Sequence, residues 1–198
     1  LTISGGEPTL SNDLLKFLHW LKENNYAQKI GVLLNTNTVN VKQTFVDALK
    51  PFKLVRLQLS VDGVGPVDEY LRFPTNWKKK ESIIDHLLQE FEGGTITTTV
   101  YNLNVGDLAN VIKWAKTKPA GHSMLTLTYP QELRMQNLPE DYKAQVIEGL
   151  LPYAEGNIAV SGIINQLKQP CNQAHWEQTK EIIKSYNSIR PNCLEELI

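Results

Sequence analysis

The sequence predicts an α/β fold in which parallel strands alternate with helices and a helical part follows. From Leu1 to Pro130, short apolar segments alternate with amphipathic stretches. Connections of this length pair successive strands in parallel through right-handed crossovers. After Pro130, helical patterns follow one another with no strand between them. Five predicted strands are too few for a closed eight-stranded barrel of about 250 residues, so we expect an open sheet or a partial barrel.

The predicted strands are short segments bounded by turn residues. The segment 29–35 is an almost continuous apolar run, which is typical of a strand buried on both faces. The segment 95–101 is rich in Thr and Val, the residue types that favour strands. The five predicted strands are 1–4, 29–35, 55–60, 95–101 and 123–128.

The predicted helices carry apolar residues at helical spacing. In the first of them, Leu14, Leu18 and Leu21 form one stripe, and Ser11 or Asn12 is placed to cap it. The predicted helices are 12–25, 41–49, 76–92, 106–118, 139–151, 157–167 and 172–187. We therefore predict two segments, a strand–helix part over 1–130 and a helical C-terminal extension over 131–198.

Composition excludes several classes of function. Of the 198 residues, 41% are hydrophobic and 21% are charged, as in ordinary globular proteins. The net charge of −1 gives no electrostatic basis for binding nucleic acid or an anionic membrane. No apolar run reaches the roughly 18–20 residues that span a bilayer. No signal peptide is visible, and the start inside a strand indicates a fragment or a truncated reading frame.

The two cysteines, Cys171 and Cys193, give neither a disulfide framework nor the spacing of metal ligands. We interpret both as structural thiols. So few cysteines favour a reducing, cytoplasmic setting.

The loop after the first predicted strand is the most informative segment of the chain. Gly5 and Gly6 permit a sharp turn and leave no side chain in the way of a ligand. Glu7 adds a fixed anionic acceptor, and Pro8 has no N–H to continue a strand. A loop at the carboxyl end of a parallel strand lies where α/β proteins bind ligands. This loop suits an ammonium group held by backbone carbonyls and one carboxylate.

Polar side chains also follow the next three predicted strands. Hydroxyl, amide and carboxylate groups at consecutive strand ends are what a polar, nucleoside-sized ligand needs. These candidate ligand-binding residues are Asn35 and Asn37 after the second strand, Ser60 and Asp62 after the third, and Thr99 and Asn104 at the end of the fourth.

In this order, the motifs resemble those of the radical S-adenosylmethionine (radical SAM) superfamily. The Gly5–Pro8 loop is similar to that family's GGEP loop, and Asn35–Asn37 is similar to its TN motif. The segment Leu59–Gly63 is similar to its S-x-D-G motif, and Thr98–Leu108 to its T-x-V…N-x-x-x-L motif. The stretch from Leu127 to Lys143 resembles the linker to the small extension called a twitch domain.

The resemblance implies a fold and a set of cofactor contacts. The fold is a partial parallel (β/α)6-type barrel, of which this chain has the later five strands, with a twitch-like helical C-terminal extension. Glu7 and the carbonyls of Gly5 and Gly6 hold the ammonium of SAM, and Arg72 holds its carboxylate. Ser60 and Asp62 face the ribose or the methionine part. The backbone of the Thr98–Val100 segment and Asn104 lie near the adenine.

The resemblance also implies an activity that this chain does not support alone. In the family, a [4Fe–4S] cluster on a Cys-x3-Cys-x2-Cys loop reductively cleaves SAM to a 5′-deoxyadenosyl radical, which abstracts hydrogen from a substrate. That loop precedes GGEP and is not in this sequence, and two distant cysteines do not replace it. We therefore predict no catalytic residue and no metal ligand here. The cluster, and an electron donor such as flavodoxin or ferredoxin, are expected only in the full-length protein.

Each candidate residue also has a structural interpretation. Glu7 can accept backbone amides of a first helical turn, and Asp62 before a glycine can be a turn residue. Arg72 can form an ion pair with Asp68 or Glu69. Among the amides, Asn35 and Asn37 can form turns, and Asn104 can be a helix N-cap.

Two other functions remain open from the sequence. One is a SAM- or peptide-binding module that has no cluster and no catalytic activity. The other is an unrelated, aldolase-like α/β enzyme, which has little support because no lysine lies at a strand end. The substrate of a complete enzyme, a peptide or a small molecule, is not specified by the sequence.

Overall fold

A computed structural model of the chain describes residues 1–190, so Cys193 lies outside the described residues. Its strands form one five-stranded sheet whose spatial order follows the chain order. Successive pairs are parallel, with Leu34 opposite Leu57 and Leu57 opposite Gly94. The strands are β1 (Thr2–Ile3), β2 (Gly31–Thr36), β3 (Leu54–Ser60), β4 (Gly94–Val100) and β5 (Gly121–Thr126).

Helices connect the strands and make up most of the chain after Pro130, which confirms the predicted α/β fold with a helical C-terminal part. Short 3-10 turns lie between several of them. The α-helices in the described chain are α1 (Asn12–Glu23), α2 (Gln43–Leu49), α3 (Pro66–Leu71), α4 (Trp77–Glu90), α5 (Leu108–Ala115), α6 (Glu140–Leu150), α7 (Ile158–Leu167) and α8 (Gln173–Asn187).

Helix α3 is not predicted from the sequence, which places Arg72 in a loop. Six residues are too few to show helical periodicity, and the helix depends on tertiary contacts instead. The hydroxyl of Tyr70 donates to Asn187 Oδ1 at 2.8 Å, and Arg190 donates to the carbonyl of Tyr70 at 2.6 Å. Arg72 therefore lies at the C-terminal cap of a helix that α8 and the residues after it hold in place.

The sheet buries one face more completely than the other. In β2, Val32, Leu34 and Thr36 are buried, whereas the alternate residues are exposed or half-buried. The expectation that β2 is buried on both faces is therefore wrong. The strands follow one another in order, and right-handed crossovers between strands in this order place their helices on the same side of the sheet, which accounts for the difference in burial.

The chain divides into two compact units that interleave along the sequence. Unit 1 comprises Leu1–Ser60, Asn76–Thr97 and Ala115–Ser123. Its fully buried side chains include Leu18 of α1, Leu49 of α2 and Ile84 of α4. The predicted segment boundary at residue 130 stays a prediction.

Unit 2 comprises Val61–Thr75, Thr98–Trp114 and the described chain from Met124 onward. Its core joins the end of β4 and α5 to the C-terminal helices, and the buried apolar residues are Val100, Val105, Leu108, Val111, Ile112, Met135, Leu138, Val146, Leu150, Val160, Ile163, Ile164 and Leu167. None of the helices over residues 1–190 combines the length and apolar character that crossing a membrane requires.

Candidate functional site

The glycine loop after β1 has a backbone that other residues rarely adopt. Gly5 and Gly6 have φ angles of 93° and 56°, in the left-handed region. A Cβ atom at either position would meet no atom within 4 Å. The conformation of the loop, and not crowding around it, therefore requires glycine, and the space beside the loop is open.

The carboxylate of Glu7 is fixed by four hydrogen bonds inside unit 1. Its Oε1 accepts from Thr9 N at 3.2 Å, Thr9 Oγ1 at 2.6 Å and Thr36 Oγ1 at 2.8 Å. Its Oε2 accepts from Asn37 N at 2.8 Å. Since each carboxylate oxygen can accept about two hydrogen bonds, Oε2 retains room for one more donor. Glu7 does cap the turn Pro8–Leu10, as its structural interpretation expects, and it also links the ends of two strands.

The two candidate asparagines after β2 differ in their surroundings. Asn37 forms a turn, because its Oδ1 accepts from Val39 N at 3.0 Å while its own N–H supports Glu7. The side chain of Asn35 is half-buried and makes no hydrogen bond within the described chain. Asn35 therefore keeps its amide available to a ligand, whereas Asn37 contributes through its backbone.

Ser60 ends β3 in unit 1 and lies opposite Thr97 of β4. Its side chain is half-buried, and no hydrogen bond to it occurs over residues 1–190. The hydroxyl oxygen of Thr97 is buried and has no hydrogen-bond partner in the same range. These two hydroxyl groups thus remain available on neighbouring strands.

Asp62 and Arg72 form an ion pair inside unit 2. Arg72 Nη2 lies 2.6 Å from Asp62 Oδ2, and the other oxygen of Asp62 accepts from Thr99 N at 3.1 Å. The partner of Arg72 is therefore Asp62, and not Asp68 or Glu69 as the structural interpretation expects. Arg72 Nε is buried and finds no acceptor among the described residues.

Asn104 joins the backbone around this ion pair. Its Nδ2 donates to the carbonyls of Asp62 at 3.0 Å and Thr99 at 2.7 Å, and its Oδ1 accepts from Tyr101 N at 2.8 Å. Asn104 does occupy the N-cap position of the turn Val105–Asp107, but its side chain makes no capping hydrogen bond to that turn. The residue holds Asp62 and Thr99 at a fixed separation.

Three further residues of the Thr98–Leu108 motif, Thr98, Tyr101 and Asp107, have contacts or surroundings that the sequence does not predict. Thr98 Oγ1 donates to the carbonyl of Val61 at 2.8 Å, and Asp107 Oδ2 accepts from Val64 N at 2.7 Å. Burial raises the pKa of Asp107 above its usual value. Burial, followed by the nearby charge of Asp62, raises the pKa of Tyr101 well above its ordinary range. The motif includes these residues, but only their contacts in the structure show what each side chain does.

The described residues offer no obvious metal site. No three His, Cys, Asp or Glu side chains come together to hold an ion over residues 1–190. Cys171 is half-buried, and its Sγ donates to the carbonyl of Asn137 at 3.1 Å. Burial raises the pKa of this thiol, which keeps it protonated. Cys171 thus has the environment of a structural thiol.

Comparison with known proteins identifies similar sequences and structures. Residues 1–115 match the profile of the Radical SAM superfamily. SuiB of Streptococcus suis, solved with bound S-adenosylmethionine, superposes with a TM-score of 0.54 at 16% identity over 78% of this chain and 35% of SuiB. The complex of SuiB with the precursor peptide SuiA superposes with a TM-score of 0.54 at 16% identity, over 80% of this chain and 36% of SuiB.

A second similar structure is anSMEcpe with bound AdoMet and the Cp18Cys peptide. It superposes with a TM-score of 0.53 at 16% identity, over 77% of this chain and 45% of that protein. At such identities the likeness shows the fold alone, and the chain spans about a third of SuiB. Among curated protein sequences, none matches this chain significantly.

Proposed function

Because the chain belongs to the Radical SAM superfamily, we propose that it is the SAM-binding portion of a radical SAM enzyme. The observation that carries this proposal is the Glu7 carboxylate beside the two left-handed glycines. It is held by four hydrogen bonds, has no cation bonded to it in the described chain, and keeps one acceptor site on Oε2. An ammonium group matches such an acceptor in charge and in hydrogen bonding.

In this proposal, the glycine loop binds the ammonium of SAM. Glu7 supplies the negative charge, and the carbonyls of Gly5 and Gly6 supply neutral acceptors, with Pro8 fixing the exit of the loop. Because donors from Thr9, Thr36 and Asn37 already hold the carboxylate, little conformational entropy is lost when the ligand binds.

Arg72 and Asp62 take the remainder of the ligand. Arg72 directs one terminal nitrogen at Asp62, and its guanidinium has five N–H groups in all, which leaves donors for a carboxylate. Ser60 and Asp62 have oxygen atoms suited to hydroxyl groups of a ribose, and Asn35 has a free amide. Asn104 has its donors and acceptor committed to backbone, so it acts by positioning Thr99 near the adenine.

The cluster chemistry of the superfamily does not fit the residues of this chain. A [4Fe–4S] cluster of this kind needs three thiolate ligands, and the sequence contains only Cys171 and Cys193. No catalytic step through a cluster is therefore assigned to these residues. Reductive cleavage of SAM with electrons from a flavodoxin or ferredoxin, and the twitch character of the extension, stay predictions for a protein that brings its ligands from elsewhere. A cytoplasmic location also stays a prediction.

A peptide is the substrate class that we propose. SuiB has been solved with a precursor peptide, and anSMEcpe with a peptide. Both share the fold of this chain at 16% identity, which supports the choice without specifying a sequence.

Titration calorimetry with SAM and with 5′-methylthioadenosine tests the ammonium site. The second ligand keeps the nucleoside and lacks the amino-acid part. We expect the wild-type chain to prefer SAM, and Glu7→Gln to reduce SAM affinity by about tenfold with little effect on methylthioadenosine, since one charge-assisted hydrogen bond is lost. Glu23→Gln, at the exposed end of α1, is the matched control. Equal binding of the two ligands by the wild type would refute the proposal.

The presence of only two cysteines favours one alternative, a SAM-binding module without a cluster. Anaerobic reconstitution with iron and sulfide, followed by iron analysis, separates the two functions. Cluster formation in the full-length protein supports the enzyme. SAM binding that is unchanged by iron, with no cluster formed, supports the module.

A further inference from the structure

The face of the sheet that no helix crossover covers is polar in unit 1. Arg56 and Gln58 lie two residues apart on β3 and therefore point to the same side, about 7 Å from each other. Gln58 is opposite Asn35 on β2 and opposite Thr95 on β4. Neighbouring strands lie about 4.8 Å apart, so these side chains form one continuous patch.

These polar side chains have no partners in the part of the chain that the structure describes. Arg56 is exposed, Gln58 and Thr95 are half-buried, and none of the three side chains makes a hydrogen bond or an ion pair over residues 1–190. The hydroxyl oxygen of Thr97, on the same face, is buried and also unpaired in that range. Polar groups on a partly buried sheet face usually find partners, so an unpaired set indicates a place for a polar ligand.

A cleft of about 790 Å³ lies over this patch, a size that falls within the range of ligand sites. Its walls include Leu33, Leu54 and Thr2 besides the polar residues of β3 and β4. Arg56 is the one charged side chain among the described residues that line it. The cleft therefore combines apolar walls with one charged side chain.

We propose that Arg56, with Gln58 and Thr95, forms a subsite for one carboxylate of a peptide substrate. A guanidinium fork binds a carboxylate through two parallel hydrogen bonds, and the amide and hydroxyl nearby supply further donors. The inference rests on the proposed function, because it describes the substrate of the same proposed enzyme.

Three capped amino acids of nearly equal size test this subsite. N-acetyl-glutamate amide carries a side-chain carboxylate, N-acetyl-glutamine carries a terminal carboxylate, and N-acetyl-glutamine amide carries none. NMR titration of the full chain follows the Nε–H of Arg56 and the amide of Gln58. We expect shifts at both groups with at least one carboxylate probe, and an affinity about tenfold lower for the neutral probe. The carboxylate probe that binds more tightly then shows whether the subsite recognises a side-chain carboxylate or a terminal carboxylate.

Arg56→Met removes the cation and Lys22→Met removes an exposed cation of α1, so both variants change the net charge equally. We expect only Arg56→Met to abolish the preference for the carboxylate probes. The subsite is wrong if the neutral probe binds equally well, if Arg56→Met keeps the preference, or if inorganic phosphate binds more tightly than both acids. SAM affinity, measured on the same samples, reports separately on the proposed cofactor site, because Arg56 has no part in that site.

Discussion

The guanidinium of Arg72 lies 2.6 Å from the carboxylate of Asp62, and the two side chains are 25% and 12% exposed. Asp62 is the second residue after β3, while Arg72 caps the C-terminus of α3. The ion pair thus closes the loop between them. It also sets the orientation of the guanidinium before any ligand arrives, which reduces the entropy lost on binding.

Removal of Arg72 should destabilise the fold. Arg72→Met leaves the mostly buried Asp62 carboxylate with only the amide of Thr99, and we expect a loss of about 1–3 kcal/mol in the free energy of unfolding. Urea denaturation monitored by circular dichroism measures it. Lys16→Met breaks the exposed pair with Asp13 and should cost less than about 0.5 kcal/mol. Equal effects of the two substitutions would contradict a structural role for the Asp62–Arg72 pair.

Asn104 should be among the most sensitive polar residues of unit 2. Asn104→Ala removes three hydrogen bonds to backbone groups and leaves those groups unpaired, so we expect a loss of about 2–4 kcal/mol. Chemical denaturation gives the value. As a comparison, Asn110→Ala removes one side-chain hydrogen bond at an exposed position and should cost about 1 kcal/mol or less. If the two variants are equally stable, the contacts of Asn104 contribute little.

Lys118 should make stability depend on alkaline pH. Burial lowers the pKa of Lys118, but its hydrogen bonds to Asp85 and Glu81 outweigh burial and raise the pKa above the ordinary value of 10.5. A pKa that is higher in the folded state gives stability that is present below the unfolded value and is lost as the pH rises through the folded value. Stability should therefore fall more steeply above about pH 10 in the wild type than in Lys118→Met.

Denaturant midpoints across the alkaline range measure this difference. Tyrosines also ionise there, so the informative quantity is the gap between wild type and variant at each pH. A gap that is constant with pH would show that the ion pairs of Lys118 do not shift its ionisation.

A side chain at Gly106 should force Tyr142 to move. A Cβ atom at this position would overlap the hydroxyl of Tyr142, and overpacking of this kind costs about 1–3 kcal/mol. Tyr142 is half-buried, and burial raises its pKa to about 12. We expect Gly106→Ala to be destabilising, and Tyr142→Phe to restore part of the loss by removing the oxygen. A double-mutant cycle in thermal unfolding tests the coupling, and additivity of the two changes would argue against the overlap.

The sequence predicts the strands, the longer helices and their order correctly, because apolar spacing and turn residues are local signals. Ser11 does cap α1, with its Oγ accepting from Leu14 N at 3.2 Å. Local signals do not predict α3, because its stability depends on distant contacts. The hydroxyl of Tyr70, for example, donates to Asn187, more than a hundred residues later in the chain. Local signals also do not predict that β2 is buried on one face only, because the side on which the helices lie depends on the order of all the strands.

For the candidate site, the sequence identifies the residues better than their partners. Glu7 and Asp62 are recognisable from motifs, yet nothing local predicts that Thr36 bonds to one and Arg72 to the other. The pairing of Arg72 is a competition among three carboxylates, and packing decides it in favour of Asp62. Whether these residues bind SAM stays a prediction that the calorimetry above addresses.

Buried and less buried residues alternate along the central strands, so selection for stability and selection for surface chemistry act on different positions. In β3, Val55, Leu57 and Leu59 are buried in the core, while Arg56 is exposed and Gln58 is half-buried. Substitutions at the intervening positions leave the buried side chains intact, so the chemistry of the open face can diverge while the fold persists. Tolerance to mutation in these strands should therefore vary with a period of two residues, and a library that changes only the intervening positions should stay folded far more often than one that changes the core.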